Sequence, residues 1–251
     1  MRKFIRTPIA LFAVFFFEAF VVPKNFLAEQ KTYQRVRTAF DEKGKFIAAK
    51  LTENNIDINE LNMLIIVFKA EKQLELYAKN KAESAYKKIS TYSICSSSGQ
   101  LGPKKRQGDN QVPEGYYTID RFNPASNFYL SLRISYPNKS DKITGDIKNP
   151  GGDIFIHGSC VTIGCIPMTD DKIKEIYLYA IQARQNEQMN IPVYIFPFKM
   201  TDKNFNSYKS EYKNNTELTG FWANLKTGFD QFEKDKKPLN YVVDENGKYI
   251  Y

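Results

Sequence analysis

The spacing of apolar and polar positions divides the 251 residues into a helical opening, a strand-rich middle and an amphipathic end. Over residues 30–60, Tyr33, Val36, Phe40 and Phe46 to Ile47 recur near helical spacing, which predicts one helix ending at Asn54 and Asn55. Leu64 to Phe68 is an unbroken apolar run, Lys69 to Lys72 reads as a turn, and Leu74, Leu76 and Ala78 alternate with polar neighbours. Two strands are expected there, and a third over residues 89–98. Residues 116–122, 128–136, 153–158 and 191–198 have the same strand character. Thr169 to Asp171 would cap a helix through Ile173, Ile176, Tyr177, Ala180 and Ile181. The polar stretch after Phe198 reads as a surface connection. Phe221, Trp222, Leu225, Phe229 and Phe232 then mark one face of a helix, and a short hairpin turns at Asn246 and Gly247. Many short strands with few helices predict an α+β, β-dominated chain with a sandwich or barrel core, not a doubly wound sheet.

Composition adds little to the fold. Hydrophobic content of 42% and charged content of 25% are those of an ordinary globular protein. Sixteen Tyr and nineteen Phe favour aromatic packing on pleated surfaces. The net charge of +8 suits an acidic partner: an anionic wall polymer, a membrane surface or nucleic acid. No zinc-finger spacing, Walker loop or concentrated basic helix is present, so nucleic acid is not expected. Scattered lysines such as Lys79, Lys81, Lys87 and Lys88 read as a solvated surface. Arg2, Lys3 and Arg6 precede an apolar run from Ile9 to Val22 broken only by Glu18, the pattern of a signal peptide or N-terminal anchor over residues 1–28. The run is shorter than the roughly 20 residues that span a bilayer. Export is therefore expected, with membrane contact only through this segment if it is retained.

Chemistry concentrates in residues 154–171, where a strand leads through a turn of small residues into a capped helix. His157 is the sole histidine, and imidazole titrates near neutrality. Cys95, Cys160 and Cys165 are an odd number, leaving at least one thiol outside any intrachain disulfide. Cys165 precedes the predicted helix N-terminus, where positive partial charge favours a thiolate. Gly164 permits a tight approach, and the Gly164 and Cys165 N–H groups can face an oxyanion. Two other readings stay open. His157, Cys160 and Cys165 could ligate zinc, although no second His or paired CxxC supports it. A Cys160–Cys165 disulfide could close the short loop, which would remove the nucleophile if permanent.

The layout of His157-Gly158 followed by Thr162-Ile163-Gly164-Cys165-Ile166-Pro167-Met168 resembles the signature of the YkuD-type L,D-transpeptidase family, in its YafK-like branch. Stretches at 68–77, 101–119, 123–138 and 149–158 match as well, so the resemblance covers roughly residues 62–198. It implies a YkuD-like core over 61–198, flanked by the N-terminal helical segment over 29–60 and the C-terminal helical extension over 199–251 that the spacing predicts. It further implies Cys165 as acyl-forming nucleophile, His157 as its base and the Gly158 carbonyl as orienting partner. The implied partners are peptidoglycan stem peptides and a wall-anchored protein, in the periplasm or envelope, with no cofactor and no metal. The wider family carries a His where Ile163 stands, and a longer loop before the nucleophile. Ser159 and Thr162 are candidate substrate contacts. In the long polar loop 99–115, Lys104 and Arg106 (with Lys105) could pair with stem carboxylates, and Asp109 or Glu114 could receive an amine. Transfer to an amine, hydrolysis by water, and an idle wall-binding module remain alternatives.

Overall fold

The computed structural model describes residues 26–251. The expected signal or anchor lies outside the described residues except for its last three, which open a helix. Among the described residues no helix is long and apolar enough to cross a membrane. Eight strands form one curled mixed sheet: β1 (Leu61–Phe68), β2 (Gln73–Asn80), β3 (Lys87–Ser93), β4 (Gly115–Ser126), β5 (Tyr129–Ile134), β6 (Phe155–His157), β7 (Ile166–Pro167) and β8 (Ile191–Phe196). Their spatial order is β3-β2-β1-β8-β4-β5-β6-β7. The β-dominated α+β class is as expected. The predicted third strand is shorter, because the chain leaves the sheet after Ser93 and runs irregularly from Ile94.

The unbroken apolar run of β1 follows from its place mid-sheet with both faces covered. Met63, Ile65 and Val67 enter one core, and Leu64, Ile66 and Phe68 enter the other. This is the two-residue alternation of a strand shared between two layers.

The first layer comprises α1 (Phe26–Lys31), α2 (Gln34–Glu53) and α4 (Asp170–Gln185). The single helix predicted over 30–60 is thus two. Tyr33 is extended between them, and α1 docks on α4 by Leu27 N–H to Gln185 Oε1 at 2.8 Å and Tyr177 Oη to Gln30 Oε1 at 2.9 Å. Helix α2 ends at the predicted turn, where Asn55 is left-handed. Thr169 caps α4 by accepting from Lys172 N–H at 3.3 Å. Helix α4 carries the chain from the sheet edge at β7 back to β8 at its centre, burying Ile173, Ile176 and Ile181.

The opposite layer is built from α5 (Asp202–Glu211), α6 (Thr216–Asp235) and the hairpin of β9 (Val242–Val243) and β10 (Tyr249–Ile250). The predicted surface connection after Phe198 contains α5, whose residues are all at least partly exposed, so its polar composition masked it. Helix α6 lays Trp222, Leu225, Phe229 and Phe232 on the sheet. A short helix not expected from the sequence, α3 (Lys139–Thr144), starts at a capping box in which Asn138 and Asp141 exchange side-chain-to-backbone bonds.

Candidate active site

The edge pair β6 and β7 is parallel, with Ile156 opposite Ile166 and His157 opposite Pro167. Cys165 immediately precedes β7 and so falls beside Phe155. Residues two apart on a strand share a face, which turns Cys165 toward the face that carries His157. No hydrogen bond joins the two side chains among the described residues. The imidazole is buried, its Nδ1 lies 2.5 Å from the Gly158 carbonyl oxygen, and the Phe128 ring packs on it at 4.7 Å. A carbonyl can only accept, so Nδ1 carries the proton and Nε2 is the free base. Burial pushes the imidazole below its ordinary 6.5, against the raising effect of the Gly158 bond. It is neutral at pH 7.

Cys165 is the one free cysteine among the described residues and its Sγ lies 3.7 Å from the Asp153 carbonyl oxygen. Burial pushes the thiol above its ordinary 9.0, and the Phe155 backbone and the Lys104 charge pull the other way. The expected helix N-terminus is not adjacent: α4 begins at Asp170, beyond β7, so its dipole is not what acts on the sulfur. Cys160 is disulfide-bonded to Cys95, with Cα atoms 5.5 Å apart. This overturns the Cys160–Cys165 alternative and takes Cys160 out of the three-ligand zinc set. Among the described residues no group of three or more His, Cys, Asp or Glu could hold a metal ion.

The connecting turn is held from several sides. A Cβ on Gly158 would stand 2.6 Å from Asp170 Oδ1 and 2.9 Å from the Phe128 carbonyl oxygen. Ser159 is left-handed and donates its N–H to Asp170 Oδ1 at 2.9 Å. Thr162 Oγ1 accepts from Gly164 N–H at 3.1 Å and donates to the Cys165 carbonyl at 2.8 Å. The Gly164 N–H is therefore engaged inside the turn. Gly164 itself has φ +134°, and a Cβ there would come 3.0 Å from the Gln111 carbonyl oxygen. Only glycine fits both demands.

Loop 94–114 forms the wall facing this turn. A cleft of about 210 Å³ opens there, lined by Cys165, Val67, Lys72, Ile94, Ser98 and Val112. Lys104 is buried, with Nζ on Asp109 Oδ1 at 2.6 Å and on the Arg106 carbonyl at 2.8 Å. Asp109 also accepts from the N–H groups of Lys105, Arg106 and Gln111. Glu114 is fully buried and accepts from Lys69 Nζ at 2.8 Å, Gly102 N–H at 2.7 Å and Trp222 Nε1 at 2.9 Å. Lys104, Asp109 and Glu114 thus spend their charges inside the protein, whereas Arg106 is exposed. The sequence reading missed Ser98, whose Oγ is buried without a hydrogen-bond partner among the described residues. The run Ser96-Ser97-Ser98-Gly99 was its signal, read instead as the end of a strand.

Residues 62–195 match the model of the L,D-transpeptidase catalytic domain, YkuD. The chain belongs to the L,D-transpeptidase family. It is 40% identical over 188 residues to YafK of Escherichia coli K12, a candidate L,D-transpeptidase by name, covering 74% of this chain and 72% of that one. Among solved structures, the helical cell shape determining protein Pgp2 of Campylobacter jejuni has 20% identity and TM-score 0.44, over 73% of each chain. Bd1075 of Bdellovibrio bacteriovorus has 25% identity and TM-score 0.39, over 55% of this chain and 48% of that one. In this L,D-transpeptidase-family chain Ile163, two residues before Cys165, is 82% exposed. Everything after residue 195, including α5, α6 and the terminal hairpin, lies beyond the matched domain.

Proposed function

We propose that the protein is a cysteine acyltransferase of the cell envelope that acts on peptidoglycan stem peptides through a thioester on Cys165. The observation that carries this reading is the neutral imidazole of His157, its tautomer set by the Gly158 carbonyl, on the same sheet edge as the unpaired thiol. His157 Nε2 takes the Cys165 proton as sulfur attacks the amide carbonyl carbon, and the bond to the leaving amine breaks as the imidazolium returns the proton to it. A second amine then attacks the thioester, gives its proton to His157, and the sulfur leaves. The Cys165 N–H is the oxyanion donor in this scheme, since Gly164 N–H is bonded to Thr162. Arg106, exposed on the cleft-wall loop, is free to meet a substrate carboxylate.

Incubation with isolated peptidoglycan, followed by mass spectrometry of the fragments, tests this. New cross-links mark an amine acceptor, and trimmed stems mark water. Cys165→Ala should cut turnover by roughly 10⁴-fold or more. Turnover that survives this change overturns the mechanism. Because the base must be unprotonated, kcat/KM should fall on acidification with a midpoint below 6.5 and stay level upward past pH 9.

A further inference from the structure

A second and larger hollow, about 500 Å³, lies between loop 101–111, the first turns of α6 and the tip of the terminal hairpin. Its size falls in the range of roughly 300–1,000 Å³ usual for ligand sites. Leu101 lines both it and the Cys165 cleft, so the two adjoin across that one side chain. Gln111, another lining residue, has its carbonyl against Gly164, next to the thiol. From this geometry we infer that the groove binds the acidic peptide chain continuing from the amide held at Cys165. The inference rests on the reading of Cys165 as the nucleophile.

The lining suits such an occupant. Leu218 and Phe221 give an apolar floor, while Lys105 and Lys248 stand at the rim. Lys248 is exposed and makes no ion pair among the described residues. Lys105 reaches across to Glu217 at 2.5 Å, an exposed pair that a peptide carboxylate can replace at little cost. The protein's charge of +8 draws an acidic chain in the same direction. Gly220 is informative. It sits within α6, where glycine is disfavoured, and a Cβ there would meet nothing within 4 Å. Its bare surface keeps the groove open. The C-terminal extension, beyond the family-matched residues, thereby becomes the specificity wall of the enzyme.

The test uses full-length protein carrying Cys165→Ala, so that substrates bind without turnover. Two synthetic peptides are titrated: one ends just past the attacked amide, the other continues through further carboxylate-bearing residues. The longer peptide should bind about tenfold more tightly. Gly220→Trp, which has room on an exposed helix surface, should erase that advantage. Lys248→Glu should remove most of it at low salt and less at high salt, as expected for a screened charge. Equal binding of the two peptides, or an advantage that survives Gly220→Trp in a protein with unaltered thermal unfolding, overturns the proposal. Failure of the Cys165 reading shows separately, as turnover in the Cys165→Ala protein.

Discussion

The two faces of the central sheet are covered by different chemistries. Under α2 and α4 the core is mainly Ile, Leu, Val and Ala, whose only demand is shape. Under α6 and the terminal hairpin it is a lattice of rings: Phe68, Phe196, Phe229 and Phe232 with Tyr116, Tyr194 and Trp222. Tyr116 alone has five ring neighbours, at 4.7 to 6.2 Å. The polar tips of these rings are also bonded. Tyr116 Oη meets Tyr251 Oη at 2.6 Å, Tyr194 Oη accepts Leu239 N–H at 2.9 Å, and Trp222 Nε1 donates to Glu114. The aliphatic face can trade one hydrocarbon for another of similar volume, whereas the aromatic face loses both volume and a bonded partner. The aliphatic face supports the turn that carries Cys165 through Ile166 and Met168, and the aromatic face supports the cleft wall through Glu114.

Trp222→Ala is the most severe way to break this contrast. It removes a ring packed on Phe198 and Tyr212 and strips a donor from a buried carboxylate, which should cost about 5 kcal/mol in denaturant unfolding. Ile176→Ala on the other face leaves only a cavity and should cost about 3 kcal/mol. If the two losses are equal, the bonded tips contribute nothing. Next in size is the Cys95–Cys160 bond, which closes 65 residues of chain and ties the cleft wall to the turn between His157 and Cys165. Its reduction should destabilise the protein by about 2–4 kcal/mol, read by unfolding with and without reductant in the Cys165→Ala background. Near-UV circular dichroism of the folded reduced protein should be preserved, because the ring lattice lies on the far face. Loss of that signal would mean the two layers are not separable.

Two helical glycines give the smallest and most discriminating comparison. A Cβ at Gly228 in α6 would stand 2.3 Å from Tyr116 Oη and 2.6 Å from the Tyr251 ring, so Gly228→Ala should cost about 1–3 kcal/mol. At Gly44 in α2 the nearest atom is on Phe40 at 3.8 Å, so Gly44→Ala should instead add about 0.5–1 kcal/mol. Opposite signs in thermal unfolding are the expected outcome, and a shared sign would contradict the packing described for one layer.

Much of this was legible in sequence because it is local. The β1 run, the alternation of β2, the Thr169 cap and the ring stripe of α6 each follow from spacing within a few residues. The elements that were not legible are either long-range or thin. The pairing of Cys95 with Cys160 depends on strands between them, and β7 is only two residues long. Helix α5 escaped notice because none of its residues is fully buried. At the site, spacing marked His157, Cys165 and Gly164 as one turn but could not reveal that Lys104 and Asp109 neutralise each other inside the loop. Charge in a polar loop looks the same in sequence whether it faces solvent or its own neighbour.

The bond from Trp222 to Glu114 spans 108 residues of chain, and it fixes when the molecule is finished as well as how. A chain emerging from its amino end exposes His157 and Cys165 long before Trp222 exists. In that interval Lys69 and Glu114 have each other but not the indole that completes the carboxylate's set of donors, and the wall opposite the thiol has only part of its anchorage. The wall opposite Cys165 is thus anchored from both sides of the turn in sequence, and its full set of bonds exists only in a chain that includes α6.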